Sequence, residues 1–133
     1  MFGVRDLSPE AERERLRQSA IHVVAWRDGK PEREIVPPLD DLAGRARDVY
    51  LHVDFDAFAP EIAPGIVDEP VPGGLSLEDG ERIICATAER FRIQAATLAT
   101  YVPEVDQDDK TLGVALHIIG LLGDYASNRR LCL

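Results

Sequence analysis

Two aspartates separated by one residue, Asp54 and Asp56, lie at the end of the apolar run Val49–Phe55 and are the residues best suited to chemistry. Side chains alternate along an extended strand, so these two carboxylates converge if the strand continues through Phe55. Neighbouring carboxylates repel each other and are costly to remove from water unless a cation compensates them. Because hard oxygen ligands favour Mg²⁺, Ca²⁺ or Mn²⁺, the pair predicts a divalent metal site. The alternative is that both residues only cap the following turn.

The surrounding pattern predicts one α/β domain over residues 1–133, in which helices alternate with strands. Such alternation predicts right-handed crossovers and a parallel sheet with helices on both faces. Ligands of such sheets bind at the carboxyl ends of the strands, where Asp54 and Asp56 lie. The predicted strands are residues 21–26, 49–55 and 94–102, and the predicted helices are residues 8–20, 39–46, 77–91 and a last helix from Asp109 with the apolar stripe Leu112, Leu116, Ile119 and Leu122.

The composition argues against several classes of partner. The 133 residues carry a formal net charge of -9, and 45% of them are apolar, as in ordinary globular domains. This negative field repels phosphate backbones, so nucleic-acid binding is not expected. The apolar runs are too short to span a membrane and the first residues lack a secretory signal, so we expect a cytoplasmic protein without membrane contact.

A longer motif surrounds the aspartate pair in the segment HVDFDAFAPEIAPGIVDEPVPGGLS, residues 52–76. It resembles the signature of the arginase (ureohydrolase) family, in which D-x-D is followed by Pro, by a second Pro with a small residue, and by Gly-Gly before a helix. The segment GVRDLSP, residues 3–9, is similar to the G-x-R-D-x-x-P strand end of the same family. The matching positions of the longer motif are Asp54, Asp56, Pro60, Pro64, Gly65, Gly73 and Gly74.

The resemblance implies the carboxyl-terminal half of a three-layer parallel-sheet domain of the arginase/deacetylase type. In that family a binuclear Mn centre activates a water that attacks a guanidino or amidino carbon, a hydrolysis of carbon–nitrogen bonds other than peptide bonds. By resemblance, Asp54 would bridge the two ions and Asp56 would bind one of them. The family's other ligands, an upstream His and a D-A-H-x-D motif, have no match here. We therefore expect weak or partial Mn binding, and either a complementary amino-terminal half or a homo-oligomer as partner.

Three further positions are candidates for supporting the metal site or lining a pocket for a small guanidino or related substrate. Thr100 stands where the family carries the Glu that receives a guanidinium, and a hydroxyl cannot pair a guanidinium as a carboxylate does. Asp6 matches the family's R-D, whereas Ser8 replaces a second acid. His52 shares the predicted face of Asp54 and could orient a ligand, although a hydrogen-bonded core histidine is the more common role. No catalytic residue is assigned.

Two functions are compatible with these residues. The first is an arginase-family metal-dependent hydrolase that is incomplete in this chain and inactive alone. The second is a non-catalytic remnant or interaction subunit with an arginase-like scaffold, which the Thr at position 100 and the unmatched ligands favour.

Overall fold

The computed structural model describes residues 1–5, 10–66 and 69–127. The predicted helix start at Ser8 and Pro9 lies outside these ranges. No helix in the described ranges combines the length and the apolar character needed to cross a bilayer. In chain order the elements are β1 (Phe2–Val4), α1 (Glu10–Gln18), β2 (Val24–Arg27), β3 (Lys30–Pro31), α2 (Val36–Ala43), β4 (Asp48–Asp54), α3 (Leu77–Ala88), β5 (Arg92–Ala99) and α4 (Lys110–Ala126), with 3-10 turns at Phe55–Ala57 and Pro103–Val105.

The described strands form two small sheets. β4 pairs in parallel with β5 from Asp48 opposite Arg92 to Asp54 opposite Ala99. β1 pairs in parallel with β2, and β3 folds back on β2 as an antiparallel hairpin. The hairpin turn has φ of 50° at Asp28 and 70° at Gly29, as a type I′ turn requires. The predicted α/β class is confirmed, with the addition of this antiparallel hairpin.

The main core lies where α3 and α4 pack against residues of both sheets. Its largest fully buried side chains include Trp26 from β2, Phe55 directly after β4, and Ile118 from α4. Phe55 also contacts Tyr101 edge to face, with ring centroids 6.3 Å apart. The end of β4, which carries the aspartates, is therefore anchored by a fully buried ring.

The predicted start of α3 is confirmed in its atomic detail. Ser76 Oγ accepts the backbone N–H of Asp79 at 3.1 Å, and Asp79 Oδ2 accepts the backbone N–H of Ser76 at 3.2 Å. This reciprocal capping box satisfies two donors that a helix leaves unpaired and stabilises the start by about 1 kcal/mol. The helix ends at Ala88, three residues before the predicted Phe91.

Most of the apolar stripe noted on α4 (Leu112, Leu116, Ile119 and Leu122) lies away from the core, although Leu122 packs against it. The buried residues are instead Thr111, Val114, Ala115 and Ile118. Leu116 and Ile119 remain 60% and 54% exposed. The helix is apolar on most of its circumference, so the periodicity alone did not identify the packed face.

Asp109 directly precedes α4, as predicted, but the side chain that caps this helix belongs to Asp106. The Asp106 carboxylate accepts the backbone N–H groups of Thr111 and Leu112, each at 3.0 Å. Asp109 adopts the left-handed conformation and makes no side-chain cap bond. Gly65 lies directly beneath, since a Cβ on it would come within 2.7 Å of Asp106 Cβ. Gly65 of the Pro64–Gly65 motif thus leaves the space that the capping residue Asp106 occupies.

Gly74 lets the chain before α3 return against the end of β4. Its φ is 112°, and a Cβ there would lie 2.7 Å from the carbonyl carbon of Phe58 and 2.8 Å from the nitrogen of Ala59. The next residue, Leu75, donates its N–H to the Ala57 carbonyl at 2.9 Å and accepts the Ala59 N–H at 2.9 Å. A side chain at position 74 would prevent this close approach.

Replacing Gly74 with Ala should therefore lower the free energy of unfolding by roughly 2–5 kcal/mol, from backbone strain and steric overlap. The matched control is Gly120→Ala in α4, where a Cβ meets nothing within 4 Å. That change should raise stability by about 0.5–1 kcal/mol. Urea unfolding measures both, and equal stability of the two variants would contradict the role of Gly74.

The corrected orientation of α4 can be tested with two adjacent isoleucines. Ile118→Ala should cost about 2–5 kcal/mol, because the side chain is fully buried and leaves a cavity. Ile119→Ala removes a side chain that is 54% exposed and should change stability by no more than about 0.5 kcal/mol. Denaturant unfolding of both variants gives the comparison, and the reverse order would restore the orientation predicted from sequence.

Candidate functional site

Asp54 and Asp56 are positioned by the end of β4 and the 3-10 turn that follows it. The strand does not stay extended through Asp56, so that condition is not met: β4 ends at Asp54 and Phe55 begins the turn. Asp54 caps this turn, with its Oδ1 accepting the Asp56 backbone N–H at 3.3 Å. Both carboxylates nevertheless line one pocket, so the turn brings them to a shared space.

This pocket has a volume of about 600 Å³ and lies between β1 and the edge of β4. Four consecutive residues of β4, 51–54, line the pocket. Because the side chains on one face of a sheet come from alternate residues, a pocket lined by consecutive residues lies along the edge of the strand. Its polar lining includes Arg5, His52, Asp54 and Asp56, and its apolar lining includes Leu51, Val53, Ile83 and Ile84. An apolar cavity with a few convergent polar groups is the usual form of a small-ligand site.

Thr100 contacts Asp54 directly. Its Oγ1 lies 2.5 Å from Asp54 Oδ1 and 2.7 Å from the Ala99 carbonyl oxygen. The backbone φ of Thr100 is 69°, a left-handed conformation that β-branched residues rarely adopt. Such a conformation costs about 1–3 kcal/mol and is typical of functional positions. The structure thus places Thr100 against the aspartate pair, and its role in a pocket stays a prediction.

His52 lies on the open side of the same carboxylate. Its side chain is 52% exposed, so the expectation of a core histidine is wrong. Its Nε2 is 3.9 Å from Asp54 Oδ2, which is too long for a hydrogen bond but within the reach of a shared ligand. The suggestion that His52 orients a ligand stays a prediction.

Arg5 is a site residue that sequence reasoning named only as part of a motif. Its guanidinium donates to the backbone carbonyls of Asp56, Ala57 (2.7 Å) and Phe58 (3.3 Å). Burial lowers the pKa of Arg5 below its usual value, and the charge of Asp56 opposes that shift. The sequence signal that could have identified Arg5 was its place in the G-x-R-D match. An Arg at a strand end that becomes partly buried needs hydrogen-bond acceptors nearby.

The remaining candidate, Asp6, lies outside the described residues. Within the described ranges, no three His, Cys, Asp or Glu side chains converge closely enough to hold a metal ion. The described residues that line the pocket and carry possible donor groups are the aspartate pair, His52 and Glu12 of α1.

Comparison with known proteins finds similar sequences and a similar fold. The chain is 32% identical over 122 residues to a formimidoylglutamase from Paraburkholderia xenovorans, covering 88% of this chain and 37% of that protein. It is 30% identical over 125 residues to an arginase from Bacillus caldovelox, covering 92% and 41%. An agmatinase from Halalkalibacterium halodurans is 29% identical over 110 residues, covering 83% and 36%.

The solved structure of the Bacillus caldovelox arginase superposes with a TM-score of 0.76 at 27% identity, covering 91% of this chain and 41% of that one. The chain thus spans about two fifths of the length of these relatives. The profile of the Arginase family matches residues 1–122. With nearly its whole length matched, the chain belongs to the arginase family.

Proposed function

We propose that this chain supplies one side of the active site of an arginase-family hydrolase, which cleaves carbon–nitrogen bonds other than peptide bonds in guanidino or amidino compounds. The observation that carries the proposal is the pocket at the carboxyl end of β4, which Asp54, Asp56 and His52 all line. Family membership supports the reaction class. The relatives' names include formimidoylglutamase, arginase and agmatinase, so membership leaves the substrate open within that class.

The donor chemistry of the pocket fits one hard divalent cation, and Mn²⁺ is the proposed ion. Two carboxylates with water completing the coordination sphere are a common ligand set for such ions. The same set does not fit two ions, because the described residues offer no third converging carboxylate, His or Cys. The role that the described residues support is therefore to bind and orient an ion, and a second ion would need ligands from other residues or from a partner.

The proposed source of these ligands is a complementary part of an arginase-like domain, either another polypeptide or a second copy of this chain. Leu116 and Ile119 on α4 are exposed, and Tyr50 on β4 is 60% exposed. Large apolar side chains on regular elements normally pack against a neighbour. A partner that covers them would extend the two small sheets toward the three-layer arrangement expected from the family.

Thr100 favours the second function, a non-catalytic interaction subunit. This residue stands at the position of the family's guanidinium-binding Glu and directs its hydroxyl to Asp54. A neutral hydroxyl in this arrangement leaves a guanidinium without its usual bidentate partner. Binding and activity must therefore be measured separately.

Replacing both Asp54 and Asp56 with Ala should abolish Mn²⁺ binding, because it removes both carboxylates from the pocket. His52→Ala should reduce binding only modestly, since Nε2 is 3.9 Å from Asp54. Equilibrium dialysis with elemental analysis measures the bound ion. Asp48→Ala is the matched control, because Asp48 lies at the opposite end of β4 and pairs with Arg92. Equal Mn content in the wild type and the double variant would refute the site.

The isolated chain should release no urea from arginine or agmatine, because the described residues offer too few ligands for two ions and Thr100 cannot pair a guanidinium. A colorimetric urea assay with added Mn²⁺ measures this, with the Bacillus caldovelox arginase as the positive control. Urea release that disappears in the Asp54→Ala, Asp56→Ala variant would show that the chain is catalytic alone.

A further inference from the structure

We propose that Thr100 is a positioning residue that fixes Asp54 as a single-oxygen ligand, holding Oδ1 and leaving Oδ2 for a divalent cation. This inference rests on the proposed metal role of Asp54. It concerns the interaction between two side chains at a position where the chain departs from the family pattern.

The hydrogen bonds of Asp54 are confined to one oxygen. Oδ1 accepts the Thr100 hydroxyl at 2.5 Å and the Asp56 backbone N–H at 3.3 Å. A carboxylate oxygen has about two lone-pair sites, so both sites of Oδ1 are engaged, the second more weakly. Oδ2 lies toward His52, 3.9 Å from Nε2, and accepts no hydrogen bond from the described residues. A cation that approaches the pocket therefore meets Oδ2.

The single hydroxyl proton of Thr100 has two acceptors within reach. The Ala99 carbonyl oxygen is 2.7 Å away, and Asp54 Oδ1 is 2.5 Å away. A charged acceptor forms the shorter and stronger hydrogen bond, so the proton belongs to the Asp54 contact. The carboxylate is thus held by a donor from the neighbouring strand.

The backbone places Thr100 for this contact. Ala99 is the last residue of β5 and lies opposite Asp54, so Thr100 directly follows the residue that pairs with the aspartate. Its φ of 69° is unfavourable for a β-branched side chain and persists where surrounding contacts over-determine it. A Glu at this position would be ionised and could only accept, whereas a hydroxyl can donate to Asp54.

The two hydrogen bonds of Oδ1 disfavour a bidentate contact through both carboxylate oxygens, so an ion that reaches Asp54 would be bound through Oδ2. Thr100 thus sets the orientation in which the carboxylate meets the ion.

The test compares Mn²⁺ affinity among three variants of the full chain, using Mn²⁺ alone as the probe and electron paramagnetic resonance to count the bound ion. Thr100→Val keeps the size and branching but loses the donor, and should weaken binding about 10- to 100-fold, the usual effect of losing a partner of a metal ligand. Thr100→Ser keeps the hydroxyl and should bind as the wild type does. Thr97→Val is the matched control, because Thr97 on the same strand bonds to Tyr50.

A second measurement does not require a metal. The Thr100 hydroxyl proton should appear by nuclear magnetic resonance as a downfield signal protected from exchange, and it should vanish in Asp54→Ala. Equal or tighter Mn²⁺ binding by Thr100→Val, or a hydroxyl signal unaffected by Asp54→Ala, overturns the inference. If Mn²⁺ binding depends on Asp54 but not on Thr100, only the inference fails. If neither the wild type nor any variant binds Mn²⁺, both the inference and the proposed function fail.

Discussion

The end of β4 depends on one partly buried cation, the guanidinium of Arg5. It reaches from the strand at the start of the chain to the consecutive carbonyls of Asp56, Ala57 and Phe58. Removing such a charge from water is costly unless acceptors replace the solvent. Three carbonyls and the charge of Asp56 offset part of this cost, but burial outweighs them and holds the pKa of Arg5 below its usual value. A planar guanidinium can donate to several acceptors at once, and the ammonium group of a Lys could not reproduce this geometry. These hydrogen bonds from Arg5 hold the turn that carries Asp56 in a fixed position relative to Asp54.

Two glycines, of which Gly74 belongs to the family motif, serve this same region. Gly74 allows the chain to pass between the Arg5 guanidinium and the backbone of Phe58, and Gly80 on α3 leaves room for the Phe58 ring. Phe58 also contacts Phe55, with ring centroids 6.4 Å apart. Small residues around one aromatic ring thus let α3 approach the end of β4. Gly65 and Gly74 of the motif therefore act through packing.

The sequence was informative where a local rule decides the structure. The capping box of Ser76 and Asp79 and the apolar run before Asp54 specified their elements, because each depends on neighbours within a few residues. The packed face of α4 could not be read in this way, since its apolar residues surround the helix and only tertiary contacts select Ile118 over Ile119. Arg5 and Thr100 were missed as contacts of the aspartates for a similar reason. Their partners are 46 or more residues away in the chain.

Electrostatics gives a reason why a Thr is compatible with position 100 in this chain. Asp54 and Asp56 already place two negative charges at one pocket, which Glu12 of α1 also lines. A third carboxylate beside Asp54 would raise the repulsion among them, since like charges at short range disfavour the ionised forms. The Thr100 hydroxyl instead donates a hydrogen bond to Asp54 and adds no charge. A hydroxyl at position 100 therefore suits the charge already present in this pocket better than a further carboxylate would.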